Sequence, residues 1–265
     1  MTWRYFGQNG EDYLLWNFFD FRKIGFFLDI GAHDGVALSN TKSFEEQGWS
    51  GICVEPIPRV FAACLEARKR VIHAACVGGP QQSVDLRVDR TGLFAGVQTD
   101  EDHAARHYKE WDGSDPGFET IAVPAVRAAE LIARGDPAID FASIDVEGSE
   151  IDVLKGLDLA KNRPRILLLE ALTDTERDAL DAYLTNFGYQ RARSEYWNHF
   201  YVTNEWDAAK LRGLTINCSL TVPVIAGFGP ARMARHAWSP PQTKTRLGFV
   251  AAKIRQRYRR WLWNV

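Results

Sequence analysis

Short, unbroken apolar runs recur along this chain, each followed by a stretch whose apolar residues fall at helical spacing. Phe26-Phe27-Leu28-Asp29-Ile30 and Ile166-Leu167-Leu168-Leu169 read as strands covered on both faces. Val60, Phe61, Cys64 and Leu65 share one face of a helix started by Pro58. The pattern predicts a helix over 8–20, a strand over 26–31, a helix over 36–47 and a strand over 51–55. After the helix from Pro58 comes a strand over 71–77, closed by Gly78-Gly79-Pro80. A strand over 139–145, helix 150–158, strand 165–170, helix 174–187 and a final strand pair, 189–194 and 198–203, complete the alternation. In 83–97, Val84, Leu86 and Val88 alternate with polar residues, the mark of a short inserted strand pair. Residues 98–120 break the rhythm: His103, Arg106, His107, Tyr108, Lys109 and Trp111 occur there with few aliphatics, as in a solvated loop or an acceptor-side lid. Strand and helix in alternation imply a three-layer α/β/α sandwich, Rossmann-like, on a mainly parallel sheet.

The first run passes directly into Gly31-Ala32-His33-Asp34-Gly35, and twenty residues later the chain reaches Val54-Glu55-Pro56. A buried strand, a tight glycine turn and an acidic residue ending the next strand are how a ribose-bearing cofactor is held. Gly31 lets backbone approach a ligand, and Gly35 avoids a side chain that would obstruct it. The predicted helix beyond offers N–H groups to a negative group, and Glu55 can accept from two ribose hydroxyls. The turn lacks the G-x-G of a dinucleotide site, which argues against NAD or FAD. Asp29 adds a carboxylate that suits an amino-bearing or cationic ligand and opposes a pyrophosphate. S-adenosylmethionine, with an amino group, a sulfonium and a ribose but no phosphate, meets these terms. An ordinary strand-to-helix turn is the alternative.

Four stretches together raise the specificity: Gln8-Asn9-Gly10-Glu11-Asp12, Leu28 to Gly35, Gly48 to Pro56, and Ile144-Asp145-Val146-Glu147-Gly148-Ser149-Glu150. In these the chain resembles the FkbM-type S-adenosylmethionine-dependent methyltransferases over roughly residues 5 to 203. The resemblance implies a class I methyltransferase fold with seven strands, the last antiparallel, and O-methylation of sugars or of secondary-metabolite hydroxyls. It suggests that the segment of Gln8 and Asp12 closes over the cofactor, although a capped helix packing on the sheet explains that segment as simply. The expected cofactor-binding set is Gln8, Asp12, Asp29, Gly31, Ala32, His33, Asp34, Gly35, Asn40, Glu55, Pro56 and Asp145. The division expected is an N-terminal helical segment 1–25, a methyltransferase domain 26–203 and a C-terminal extension 204–265.

Methyl transfer to a hydroxyl is an in-line displacement, so positioning supplies much of the rate. The alcohol must also lose its proton or be stabilised as an alkoxide. Asp145 closes the fourth major strand, Glu147 follows in the turn, and Glu170 closes the fifth, which makes these three the catalytic candidates. Asp145 or Glu147 is the expected base or substrate clamp. In a metal version Asp145 and Glu170 share Mg²⁺, but Ala171-Leu172 follow Glu170 and no third ligand is evident, so the favoured reading has no metal. Glu147 and Glu150 can equally be first-turn helix charges. His33 fits a cofactor contact or a turn residue better than a base. His199, within Tyr196-Trp197-Asn198-His199-Phe200-Tyr201, belongs to an aromatic cluster that is either core or acceptor platform. His73 and His236 have no partner that sequence identifies.

Composition refines this picture at two points. Cys53, Cys64, Cys76 and Cys218 have no C-x-x-C spacing, so they are expected to be reduced and buried in a cytoplasmic protein without a zinc site. Apolar runs are too short for a transmembrane helix, and Thr2-Trp3-Arg4-Tyr5 gives no secretory leader. The net charge of −2 hides a segregation, since residues 230–265 hold nine Lys or Arg and no Asp or Glu. In 247–265, Leu247, Val250, Ile254, Tyr258, Trp261 and Leu262 share a helical face, with Lys253, Arg255, Arg257, Arg259 and Arg260 around it. That pattern fits an interfacial helix on an anionic membrane surface, at the inner face, or an arm packed on the enzyme or on a second subunit of a homodimer. Aromatic RNA-binding signatures are absent, so nucleic acid is not expected. Three functions are compatible with these features: methylation of a glycan or glycolipid hydroxyl, methylation of a soluble secondary metabolite, and a non-catalytic module recruiting partners through its tail.

Overall fold

The computed structural model describes residues 4–89, 95–96 and 117–216. The elements in chain order are α1 (Glu11–Phe18), β1 (Phe26–Ile30), α2 (Lys42–Glu46), β2 (Ser50–Val54), α3 (Pro58–Ala67), β3 (Val71–Ile72), β4 (Ala75–Cys76), β5 (Ser83–Asp89) and β6 (Ala95–Gly96). Then follow β7 (Phe118–Val126), α4 (Ala128–Leu131), β8 (Phe141–Ile144), α5 (Glu150–Leu157), β9 (Ile166–Glu170), α6 (Asp174–Thr185), β10 (Gln190–Glu195), β11 (Asn198–Val202) and α7 (Glu205–Gly213).

The main sheet has seven strands in the order β10-β11-β9-β8-β1-β2-β3. β11 runs antiparallel to both neighbours, and the remaining pairs are parallel. This is a class I methyltransferase arrangement, in which the last strand lies inside the edge strand that precedes it. Every residue of β1, β8, β9 and β11 is buried, as continuous apolar runs require of a sheet covered on both sides. Alternation then divides the core in two. Leu28, Ile30, Ile52, Val54, Leu167 and Leu169 pack with Val153, Leu154, Leu180 and Leu184 of α5 and α6. Phe27, Cys53, Phe141, Ile166, Leu168 and Phe200 pack on the other face with Leu14, Trp16, Phe44, Ala208 and Leu211 of α1, α2 and α7. Trp16 stacks on Phe44 with ring centroids 4.2 Å apart and donates Nε1–H to Ser43 Oγ at 3.1 Å, so α1 is tied into the sandwich.

The structure departs from the sequence pattern in four places. The helix predicted over 36–47 contracts to α2 because short polar side chains compete for the backbone. Asp34 Oδ1 accepts from Val36 N and Ala37 N at 2.9 and 2.7 Å, and Leu38 takes φ 58°. The helix after the glycine turn therefore begins only at Lys42. The strand predicted over 71–77 bends, with β3 extending the main sheet and β4 joining a second sheet in the order β4-β7-β5-β6. That sheet contains the predicted pair at 83–97 and has its own apolar core of Ile57, Val60, Ala75, Leu86, Val88 and Val123. β7 begins at Phe118, inside the stretch read as loop or lid, and residues 98–116 of that stretch lie outside the described residues. α7 was not predicted, yet its Ala208 and Leu211 are fully buried, so the C-terminal extension begins as a core helix. Cys218, His236 and the basic tail lie outside the described residues. Cys53, Cys64 and Cys76 are buried free thiols, and among the described residues no helix is long and apolar enough to cross a membrane.

Candidate active site

The carboxyl ends of β1, β2, β8 and β9 and the start of antiparallel β11 form one edge of the main sheet. At that edge Gly31 takes φ 84°, and a Cβ there would lie 1.8 Å from the Asp145 carbonyl oxygen. At Gly35, with φ 75°, a Cβ would lie 2.6 Å from Arg68 Cγ. The protein's own close packing thus demands glycine at both positions, whatever ligand approaches them. Ala32 is buried beside them and donates its N–H to Val54 O at 3.0 Å. Glu55 Oε2 accepts from His33 N at 2.9 Å and Oε1 from Ile57 N at 2.8 Å, so this carboxylate clips the turn to the Pro56 corner. Burial pushes its carboxyl above the usual range against those bonds, and each oxygen keeps a second lone pair for a ribose hydroxyl. His33 lies in the left-handed region with Nδ1 3.7 Å from Asp34 Oδ1. Burial opposes its protonation, but Asp34, Glu55 and Asp145 outweigh that and hold its pKa above the ordinary value. His73 finds its partner in the Pro56 carbonyl, 3.0 Å from Nε2, and stacks on Phe61.

Asp29 is buried and bonded within the protein. Alternation along β1 turns it, with Phe27, toward α2 and α3, where it accepts from Thr41 Oγ1 and, at 3.3 Å, from an Arg68 guanidinium nitrogen. The Arg68 side chain is fully buried and also reaches Glu45 Oε2 at 3.2 Å, Gly35 O at 3.2 Å, Ser39 Oγ at 3.3 Å and Thr41 Oγ1 at 2.8 Å. Five fixed donors suit this task, which a lysine could not perform. Burial drives the Asp29 carboxyl upward while Arg68 pulls it down. Sequence reasoning missed Arg68 because a single arginine closing a helix belongs to no motif. The available signal was Asp29 itself, a charge inside an apolar strand that had to find a partner.

The catalytic candidates converge. Asp145, Glu147 and Glu170 each bring a carboxylate oxygen within 4.8 Å of the others. Asp145 is exposed, Glu147 half-buried and Glu170 buried. Glu147 and Gly148 take φ 54° and 99°, and Glu150 Oε1 holds that turn by accepting from Val146 N at 3.1 Å and Gly148 N at 3.3 Å. Glu150 is consequently an internal staple and not an exposed helix charge; burial pushes its carboxyl up to about 7. Glu147 supplies the third carboxylate that sequence left unplaced, so the group offers three hard oxygen donors to a proton or a cation.

The N-terminal segment reaches the same edge. Gly7 pairs with Leu38, and Asn198, opposite Glu170 in the sheet register, donates Nδ2–H to Glu11 Oε1 at 2.8 Å. Asp12 accepts from Phe6 N at 2.7 Å, and burial pushes its carboxyl up to about 7, so it anchors the segment on which Gln8 sits half-buried. Asn40 donates to Ser143 Oγ at 3.2 Å, which leaves its buried Oδ1 without a donor. The aromatic cluster divides. His199, Phe200 and Tyr201 are buried, His199 Nδ1 lying 2.8 Å from Ser194 Oγ, while Tyr196 and Trp197 form the tip of the β10–β11 hairpin. Burial lowers the His199 pKa, which suits a neutral structural ring. Trp197 Nε1 is buried without an acceptor, a state that costs about 1–3 kcal/mol and calls for an explanation.

Residues 29–191, more than half of the chain, match the methyltransferase FkbM domain. Among solved structures, the chain is similar to precorrin-6y C5,15-methyltransferase from Geobacter metallireducens GS-15, at a TM-score of 0.39 and 10% identity over 74% of this chain and 84% of that one. No curated protein matches it.

Proposed function

From a chain that belongs to the FkbM methyltransferase family, we propose an enzyme that methylates a hydroxyl of a sugar in a glycan or glycolipid precursor, with S-adenosylmethionine as donor. The observation that carries this reading is the convergence of Asp145, Glu147 and Glu170 beside the glycine turn. The residues present fit the donor, which supplies an electrophilic methyl group. Glu55 offers lone pairs to ribose, and the open Oδ1 of Asn40 accepts from an ammonium group. The exposed carboxylate of Asp145, whose backbone packs against Gly31, suits a sulfonium charge held at the turn.

The chain's own part in the reaction is to orient the acceptor oxygen and take its proton. Asp145 or Glu147 receives that proton as the new C–O bond forms. The basic segment 247–265 would deliver this chemistry to an anionic membrane at its cytoplasmic face.

Calorimetric titration with S-adenosylmethionine and S-adenosylhomocysteine, with NADH as control, tests the reading first. Binding of the first two alone is expected; a folded protein that binds neither would leave the non-catalytic module. Asp145→Asn should keep S-adenosylhomocysteine affinity within a factor of about two while turnover falls by about 10²-fold or more. Near-normal turnover would remove Asp145 from catalysis. Turnover should survive a chelator, and dependence on added Mg²⁺ would assign the three carboxylates to a cation instead.

A further inference from the structure

We infer that the tip of the β10–β11 hairpin is the acceptor platform: Tyr196 and Trp197 receive the face of an uncharged pyranose ring, and Trp197 Nε1–H donates to one of its oxygens. The inference rests on the methyltransferase reading of the adjoining carboxylates and names where their substrate lies.

The tip is fixed against the site. Asn198 sits opposite Glu170, and Ala171 N donates to Trp197 O at 2.8 Å, so the two aromatic residues stand at the end of the strand that carries Glu170. Tyr196 takes φ 57°, a conformation uncommon for a bulky side chain, and is 46% exposed. The two rings lie 5.9 Å apart at 55°, tilted into a corner at the tip. Core packing does not account for this pair, because Phe200 and Tyr201 of the same hairpin already supply the contact with the sheet.

Comparison with the other indoles sharpens the point. Trp16 Nε1 donates to Ser43 Oγ at 3.1 Å, Trp49 Nε1 donates to Arg22 O at 2.6 Å, and Trp206 is 78% exposed to water. Among the described residues, Trp197 alone has a buried indole nitrogen with no acceptor. A buried donor without an acceptor, on a hairpin tip paired to the strand that carries Glu170, is relieved by a ligand oxygen.

Sheet order gives the ligand its place. Glu55 and the glycine turn lie beyond β1 and β2, on one side of Asp145; Glu170, Trp197 and Asn198 lie beyond β9 and β11, on the other. Donor and acceptor therefore meet at Asp145 from opposite sides. A pyranose presents C–H faces to aromatic rings and hydroxyls to Glu170 and the indole, whereas an anionic acceptor would be repelled by three carboxylates.

The full chain, labelled with ¹⁵N at tryptophan and saturated with S-adenosylhomocysteine, tests the platform by titration with methyl α- and β-pyranosides of glucose, galactose, mannose and rhamnose. The indole signal missing from Trp197→Phe should shift with at least one sugar. Tyr196→Ala should weaken that sugar's binding by about tenfold, with Tyr196→Phe close to the original and S-adenosylhomocysteine affinity unchanged in all three variants. A Trp197 signal indifferent to every sugar, or an equal response in Tyr196→Ala, would overturn the platform. A sugar-dependent shift in a protein that does not bind S-adenosylhomocysteine would support the platform and overturn the methyltransferase reading beneath it.

Discussion

Arg68 touches five residues that all lie between Asp29 and Glu45, the stretch that carries the glycine turn and the loop beyond it. Asp29 and Glu45 are themselves buried, so their charges are tolerable only while the guanidinium is present. Arg68→Met should therefore lower unfolding free energy by about 3–5 kcal/mol in urea titration. Arg68→Lys should recover part of it, since one ammonium cannot span the same five partners. At this scale sequence marked the residues but not the contacts that constrain them. Gly31, Gly35 and Asp29 were legible as special positions, but backbone contact with Asp145, the stem of Arg68 and the inward turn of Asp29 depend on neighbours far along the chain.

The turn between β8 and α5 presents Glu147 to Glu170, and a buried carboxyl, Glu150, holds it in shape. Burial raises the Glu150 pKa from 4.5 to about 7, so the folded state holds the proton more tightly than the unfolded chain. Its contribution to stability is full below about pH 4.5 and is lost as pH rises through 7, on the order of 3 kcal/mol across that window. Glu150→Gln keeps an oxygen for Val146 and Gly148 and removes the titration. Thermal unfolding at pH 5 and pH 8 should then show a smaller loss than in the original protein, with the variant the more stable at pH 8. An unchanged slope would assign the titration to other groups. Elements differed in how clearly they could be read. β1, β8 and β9 were plain because each is a continuous apolar run. α7 was hidden because only Asp207, Ala208 and Leu211 of its nine residues are buried, and residues 36–41 were misread because their side-chain hydrogen bonds leave no trace in apolar spacing.

Two apolar cores lie on the faces of the main sheet, and a third belongs to the second sheet, whose inner strand β7 has a single buried residue and so gives no clear alternation. β7 pairs with β4 and β5 across a long stretch of chain, a partnership that no local pattern announces. Leu86 sits in the third core at 2% exposure, and Leu86→Ala should cost about 2–5 kcal/mol in chemical unfolding. S-adenosylhomocysteine affinity should be unaffected at temperatures where the variant is folded, because the turn of Gly31 and the carboxylate of Glu55 belong to the main sheet. A parallel loss of affinity would show that the two sheets act as one. The bend between Ile72 and Ala75 has a mechanical consequence: the chain leaves the large sheet there, and β4 pairs with β7 where the chain returns. The register of the seven strands, and with it the edge that carries the three carboxylates, is set by pairs that all lie outside residues 77–124.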